Sequence, residues 1–150
     1  MKESVAPVQV LGPPSPAADR IMSLFLRAAH AIERRLDESL DTVGLSVPKY
    51  SALTKLVQAG EPLALSELAA RMTCVRSNIT QLVDRLEADG LVRRVEDPRD
   101  RRSVRAALTP LGEERQAAGA ELMEGLHEEV AAKLSGIDRE ALIRALGLLQ

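Results

Sequence analysis

Apolar residues recur at spacings of three and four over most of this chain, a period typical of amphipathic helices. The first stripe predicts one long helix that stops at Gly44. Its members are Ile21, Phe25, Ala28, Ile32, Leu36, Leu40 and Val43. Before this stripe, four prolines within residues 1–18 indicate a disordered or loosely ordered tail.

A second helix is predicted between Ser46 and Gly60, because serine is a favoured N-cap and Pro48 fits the first turn. Three of its apolar residues are expected to face the core: Leu53, Leu56 and Val57. Residues 61–65 are expected to be extended, since Pro62 disfavours helix in the residue before it.

Two short helices follow. Ser66 is expected to cap the first, which spans the letters ELAARM. After a break at Thr73 and Cys74, the second reaches Gly90 with four apolar residues on one face: Ile79, Leu82, Val83 and Leu86. Two short helices joined by a turn of about three or four residues form a helix-turn-helix pattern.

The period then changes from helical to alternating, which predicts strands at residues 91–95 and 103–108. Val104, Ala106 and Leu108 occupy alternate positions of the second strand and are expected to share a face. The polar segment EDPRDRR between the strands predicts a β-hairpin with an arginine-tipped loop, that is, a wing.

The remaining pattern is again helical. Thr109 followed by Pro110 predicts a capped helix that breaks near Gly136, and Asp138 predicts the cap of a final helix. The longer of these two helices carries a spacing of four: Leu122, Leu126, Val130 and Leu134.

The basic residues are concentrated in one part of the chain. The formal net charge is −2, yet residues 71–105 hold nine arginines and six acidic residues, a net of +3, which leaves −5 elsewhere. The 16 arginines and 4 lysines favour forked contacts to phosphates and base edges. This asymmetry predicts nucleic-acid binding only together with other signals, because a solvated basic face is the alternative.

The polar face of the second short helix and the wing supply those signals. The helix presents Ser77, Gln81 and Asp84, flanked by Asn78, Thr80 and Arg85, side chains that can read base edges in a major groove. Arg99, Arg101 and Arg102 of the wing can enter a minor groove. Asp97 and Asp100 are each expected to orient an arginine two residues away.

Residues 65–114 resemble the DNA-binding core of the MarR family of bacterial transcription regulators. The resemblance depends on LVDRLEADGLV, on the D-x-R-D-x-R wing and on LTPLG together, and extends less specifically over most of residues 21–149. It implies a mainly α fold: a winged helix-turn-helix core with a small β-hairpin wing, and a dimerisation region built from the N- and C-terminal helices. The expected boundaries are a tail at 1–18 and one domain at 19–150, with the core at 46–108 and dimerisation helices at 19–45 and 109–150.

The resemblance further implies a homodimer, usually a repressor, that binds a palindromic double-stranded DNA operator and is often released by a small-molecule effector. The single cysteine of the chain fits a reducing cytoplasm, so a cytoplasmic location is expected. It places on the recognition helix Arg76, Ser77, Asn78, Thr80, Gln81 and Arg85, and on the wing Arg99, Asp100, Arg101 and Arg102. Arg102 falls at the minor-groove arginine and Asp100 at its carboxylate partner. Val75 stands where many relatives have a capping serine, so either Thr73 or Ser77 opens this helix.

Two further residues are candidates for chemistry other than DNA binding. His30 is a candidate for a ligand pocket, and Cys74 is either a buried small side chain or a redox switch. No nucleophile–base pair, phosphate loop or metal-ligand spacing occurs, so neither an enzyme nor a cofactor is expected. No apolar run approaches the roughly 20 residues of a membrane span. The alternatives to a DNA-binding repressor are a winged-helix protein-interaction module and a redox-responsive regulator acting through Cys74.

Overall fold

The computed structural model describes residues 16–72, 79–98, 100 and 103–148. The chain divides into two compact units, residues 1–34 and residues 35–150. Its elements are α1 Pro16–Asp41, α2 Val47–Ala59, β1 Leu63–Ala64, α3 Leu65–Arg71, α4 Ile79–Ala88, β2 Val92–Glu96, β3 Val104–Leu108, α5 Pro110–Lys133 and α6 Arg139–Gly147. This order confirms the mainly α fold with a small β-hairpin. Cys74 and residues 1–15 lie outside the described residues.

The first two helices follow the apolar stripes, with two differences. Helix α1 begins at Pro16, within the segment expected to be a tail. Helix α2 has Ser46 as N-cap and Gly60 as C-cap, as predicted. Val57, however, is 43% exposed, so its predicted core position is wrong. The buried sector of α2 includes Ala52 beside Leu53 and Leu56, which moves its centre away from Val57.

The predicted cap of α3 is also wrong. Ser66 lies inside α3, because that helix already begins at Leu65 with Ala64 as N-cap. The backbone N–H of Ala64 donates to Oε2 of Glu67 at 2.9 Å. A carboxylate in the first helical turn thus binds the amide that precedes the helix, without a side-chain cap from serine.

The hairpin belongs to a three-stranded antiparallel sheet with the order β1-β3-β2. Strand β2 pairs with β3 from Val92 opposite Leu108 to Glu96 opposite Val104, which confirms the predicted hairpin. The predicted extended segment at 61–65 contributes β1, whose Leu63 pairs with Ala106. Val104 is 41% exposed, unlike the buried Ala106 on the same face, because it lies at the loop end of the strand.

Apolar side chains of residues 35–150 form one core. Fully buried members come from α1, α2, α3, α4 and the sheet, namely Leu40, Leu53, Leu63, Leu68, Leu86, Val83 and Val92. Helix α5 contributes Met123, and its Gly119 lies against Tyr50, where an added Cβ would be 2.8 Å from Cδ2 of the ring.

Side-chain N-caps mark the first turns of the two C-terminal helices, α5 and α6. Oγ1 of Thr109 accepts a hydrogen bond from the backbone N–H of Gly112 at 3.0 Å and donates to the carbonyl oxygen of Gly90 at 2.7 Å. Oδ1 of Asp138 accepts from the N–H of Ala141 at 3.1 Å. Both predicted caps are confirmed, and Thr109 also connects α5 to the turn between α4 and β2.

Candidate nucleic-acid interface

Helix α4 exposes a polar face beside the hairpin. Leu82, Val83 and Leu86 are buried, while Thr80, Gln81 and Arg85 are exposed, which agrees with the predicted orientation of the helix. Arg85 forms no ion pair among the residues that the structure describes. Its guanidinium is therefore available for a phosphate or a base edge. The predicted contacts Arg76, Ser77 and Asn78 lie outside the described residues.

Asp84 on this face has a partner that the sequence did not reveal. Its Oδ1 lies 2.5 Å from one terminal nitrogen of Arg94 in β2, and Glu87 Oε2 binds the other. Glu87 Oε1 also accepts the backbone N–H of Arg94 at 3.0 Å. The hydrogen bond to Asp84 contributes most to raising the pKa of Arg94 above its usual range. Asp84 lies on the exposed face of α4, as predicted, and its ion pair connects α4 to β2.

A second ion pair closes the base of the wing. Nε of Arg105 in β3 lies 2.7 Å from Oδ2 of Asp97, a residue that is only 7% exposed. The same guanidinium donates to the carbonyl oxygen of Pro62 at 3.0 Å and lies 3.8 Å from Glu67. Asp97 was predicted to orient an arginine two residues away. The structure shows that it binds Arg105 on the opposite strand, through pairing that local spacing does not reveal. The arginine two residues away, Arg99, lies outside the described residues, so that contact stays a prediction.

Backbone hydrogen bonds shape the wing loop where the structure describes it. The N–H of Asp97 donates to the carbonyl oxygen of Ser103 at 3.0 Å, closing the hairpin. The N–H of Asp100 donates to the carbonyl oxygen of Asp97 at 3.2 Å, and the N–H of Ser103 donates to that of Asp100 at 2.9 Å. Asp100 therefore takes part in two successive turns. Arg99, Arg101 and Arg102 fall outside the described residues, and their groove contacts stay predictions.

The opposite end of α4 is connected to α2. Nζ of Lys49 in the first turn of α2 lies 2.5 Å from Oδ2 of Asp89, just after α4 ends. Helix α4 is thus connected to β2 along its side and to α2 at its C-terminal end.

A hollow of about 230 Å³ lies between the C-terminal segment of α1, helix α2 and helix α5, all within residues 35–150. Apolar and aromatic side chains form most of its wall: Leu36, Leu40, Val47, Tyr50 and Met123. Ser51, Thr54 and Lys55 add hydroxyl groups and one ammonium group. The arrangement suits a small, mainly apolar molecule with an acidic group. His30 is exposed and belongs to the other compact unit, so its pocket role stays a prediction.

The described residues show neither a metal site nor a membrane span. No group of three or more His, Cys, Asp or Glu side chains among them could hold a metal ion. None of the described helices is both long enough and apolar enough to cross a membrane.

A helix-turn-helix arrangement followed by an antiparallel hairpin defines the class of domain: a winged helix-turn-helix. The sequence model of the MarR family matches residues 45–104. This match covers 60 of the 150 residues and agrees with the winged helix-turn-helix fold, so the resemblance seen in the motifs of the chain is confirmed.

Named relatives agree with this resemblance. The uncharacterized HTH-type transcriptional regulator YsmB of Bacillus subtilis is 36% identical over 85 residues, which are 57% of this chain and 58% of YsmB. The HTH-type transcriptional repressor MdtR of Bacillus subtilis is 29% identical, over 86% of this chain and 83% of MdtR. This chain thus spans under three fifths of the length of YsmB.

A solved structure extends the likeness beyond the core. CouR from Rhodococcus jostii RHA1, solved with p-coumaroyl-CoA bound, is 28% identical with a TM-score of 0.69. The match covers 91% of this chain and 94% of the CouR chain.

Proposed function

We propose that this protein is a sequence-specific, DNA-binding transcription regulator that acts as a repressor on a palindromic operator. The observation that carries the proposal is the exposed face of α4, with Thr80, Gln81 and Arg85, connected by ion pairs to the strand of a basic wing. Gln81 suits a bidentate contact to adenine, and the wing arginines suit a minor groove. The repressor assignment draws on the likeness to the repressor MdtR.

The regulator acts as a homodimer. Within residues 16–34, helix α1 exposes large apolar side chains: Ile21, Met22, Leu24, Phe25, Leu26 and Ile32. Within residues 35–150, the C-terminal region exposes Ile137, Ile143, Leu146 and Leu148, and α6 has no buried residue. Apolar surfaces of this extent favour association. Two recognition helices in a dimer would read half-sites about 10 bp apart.

Operator binding responds to a small effector at the hollow beside α2. Its apolar wall and Lys55 favour an aromatic or aliphatic acid. CouR offers a parallel, since its solved structure contains an aromatic acyl thioester of coenzyme A.

Fluorescence anisotropy with the intergenic DNA upstream of the protein's own coding sequence tests the proposal, with scrambled DNA of equal length as reference. Measurements over a salt series separate phosphate contacts from base contacts. We expect nanomolar binding to the upstream DNA, one dimer per site, and far weaker binding to the scrambled DNA. Equal affinity for both DNAs would contradict sequence reading and favour a protein-interaction module.

A further inference from the structure

Arg94 makes a set of contacts that the proposed reading of DNA does not itself use. Its two terminal nitrogens bind two different carboxylates of α4, those of Asp84 and Glu87. Its backbone N–H donates to the same Glu87 at 3.0 Å. One residue of the wing strand is therefore joined to the proposed recognition helix at three points.

The spacing of Asp84 and Glu87 along α4 lets their contacts with Arg94 fix the orientation of the helix. Residues three apart in a helix lie on the same side, one turn from each other. A planar guanidinium that binds Asp84 with one nitrogen and Glu87 with the other therefore resists both rotation and sliding of α4 against β2. Lysine carries the same charge but has a single ammonium and cannot reproduce this fork.

Other contacts of α4 constrain its orientation less. Leu82, Val83 and Leu86 pack into the core, and apolar packing is not directional. The ion pair of Lys49 with Asp89 fixes only the C-terminal end of the helix, and to α2 rather than to the wing.

We propose that Arg94 is a positioning residue that fixes the orientation of α4 relative to the wing, so that helix and wing enter adjacent grooves in register. The inference rests on the proposed DNA-binding function. Contacts to base edges require that the recognition helix is placed accurately in the groove, whereas contacts to phosphates tolerate a larger displacement of the helix. Loss of the fork is therefore expected to reduce discrimination between sequences more than affinity for DNA in general.

Three variants isolate this role. Arg94→Lys keeps the charge and removes the fork, and Arg94→Gln removes both. Arg93→Gln is the matched control, because Arg93 is the neighbouring exposed arginine on the same strand and lines a separate cavity with Leu56 and Glu113. We expect the ratio of specific to scrambled-DNA affinity to fall about tenfold in both Arg94 variants, the size of one lost base contact. The control should keep the ratio of the unaltered protein.

The salt dependence distinguishes positioning from a direct phosphate contact. Because the charge of Arg94 is already paired, Arg94→Gln should leave the slope of log K against log salt unchanged. A fall in slope of about one unit with an unchanged affinity ratio would mean that Arg94 contacts phosphate, and would overturn the proposal.

A measurement without DNA keeps the inference separate from the proposed function. Nitroxide labels at positions 81 and 96, in a Cys74→Ser background, report the distance between α4 and β2. We expect a narrow distance distribution that broadens in Arg94→Lys but not in Arg93→Gln. An unchanged distance distribution in Arg94→Lys would overturn the positioning role. This test does not depend on Arg94→Gln, so it still applies if Arg94→Gln fails to fold. Broadening in the labelled protein, combined with no specific DNA binding by the unlabelled protein, would retain the role of Arg94 and reject the regulator.

Discussion

Gly112 of α5 packs directly against Leu91, at the junction between α4 and β2. A Cβ added at position 112 would lie 2.0 Å from the carbonyl oxygen of Leu91 and 3.1 Å from Cδ1 of Leu108. That oxygen also accepts the backbone N–H of Thr109 at 3.2 Å, so it cannot withdraw without breaking this hydrogen bond. The first turn of α5 therefore has room only for glycine at this point.

Gly112→Ala is expected to lower the free energy of unfolding by at least about 1–3 kcal/mol, because relieving the overlap requires a shift of backbone. Urea denaturation followed by circular dichroism measures the change. Gly125→Ala is the matched control in the same helix, since an added Cβ there meets nothing within 4 Å. It should raise stability by about 0.5–1 kcal/mol through helix propensity. Equal effects of the two substitutions would contradict the close packing at position 112.

Gln81→Ala tests the base-reading role of α4. Gln81 is exposed beside the buried Leu82, so its removal should leave the fold intact. We expect a loss of about 1–3 kcal/mol in binding the operator, with little change for scrambled DNA, if the contact to a base is bidentate. Anisotropy against a panel of singly substituted operators locates the relaxed position. A uniform loss over all sequences would instead assign Gln81 to the DNA backbone.

Arg102→Ala tests the predicted minor-groove arginine of the wing. Removal of one charge contact should lower the salt slope of operator binding by about one unit. The comparison is Arg93→Gln, which removes the same charge from the same hairpin and should keep the slope. An unchanged slope in both variants would exclude Arg102 from contact with DNA.

Most helices and the hairpin could be predicted from the sequence because their signals are local. The caps Thr109 and Asp138 and the apolar face of α4 depend on residues within one or two turns. Partners distant along the chain could not be predicted in this way. Arg94 binds Asp84 from 10 positions away, and the burial of Ala52 rather than Val57 depends on which elements surround α2.

The sequence nevertheless contains an indication that two acidic residues of α4 share one basic partner. Asp84 and Glu87 stand three apart, and an arginine follows in the next strand. Such spacing identifies two carboxylates on one helical face, but only the packing of β2 against α4 selects Arg94 rather than Arg93 as the partner.

Glu129 gives the protein a pH-dependent contribution to stability. Hydrogen bonds from Arg35 and then Lys133 lower the pKa of Glu129 from 4.5 to about 2. A lowered pKa in the folded state stabilises the fold above pH 4.5, and this contribution is lost as the pH falls towards about 2. Urea unfolding at intervals between about pH 6 and about pH 2 should therefore show a steeper acid loss in the unaltered protein than in Glu129→Gln. Parallel curves for the two proteins would contradict the assignment.

The bond between Glu87 and the backbone of Arg94 has a consequence beyond orientation. Strand β2 is an outer strand of the described sheet, and an outer strand offers unpaired amides to strands of other molecules. The carboxylate of Glu87 occupies one of these amides at 3.0 Å. The helix proposed to read DNA thus also shields the sheet from intermolecular β-pairing, so local unfolding of α4 would expose a surface prone to aggregation.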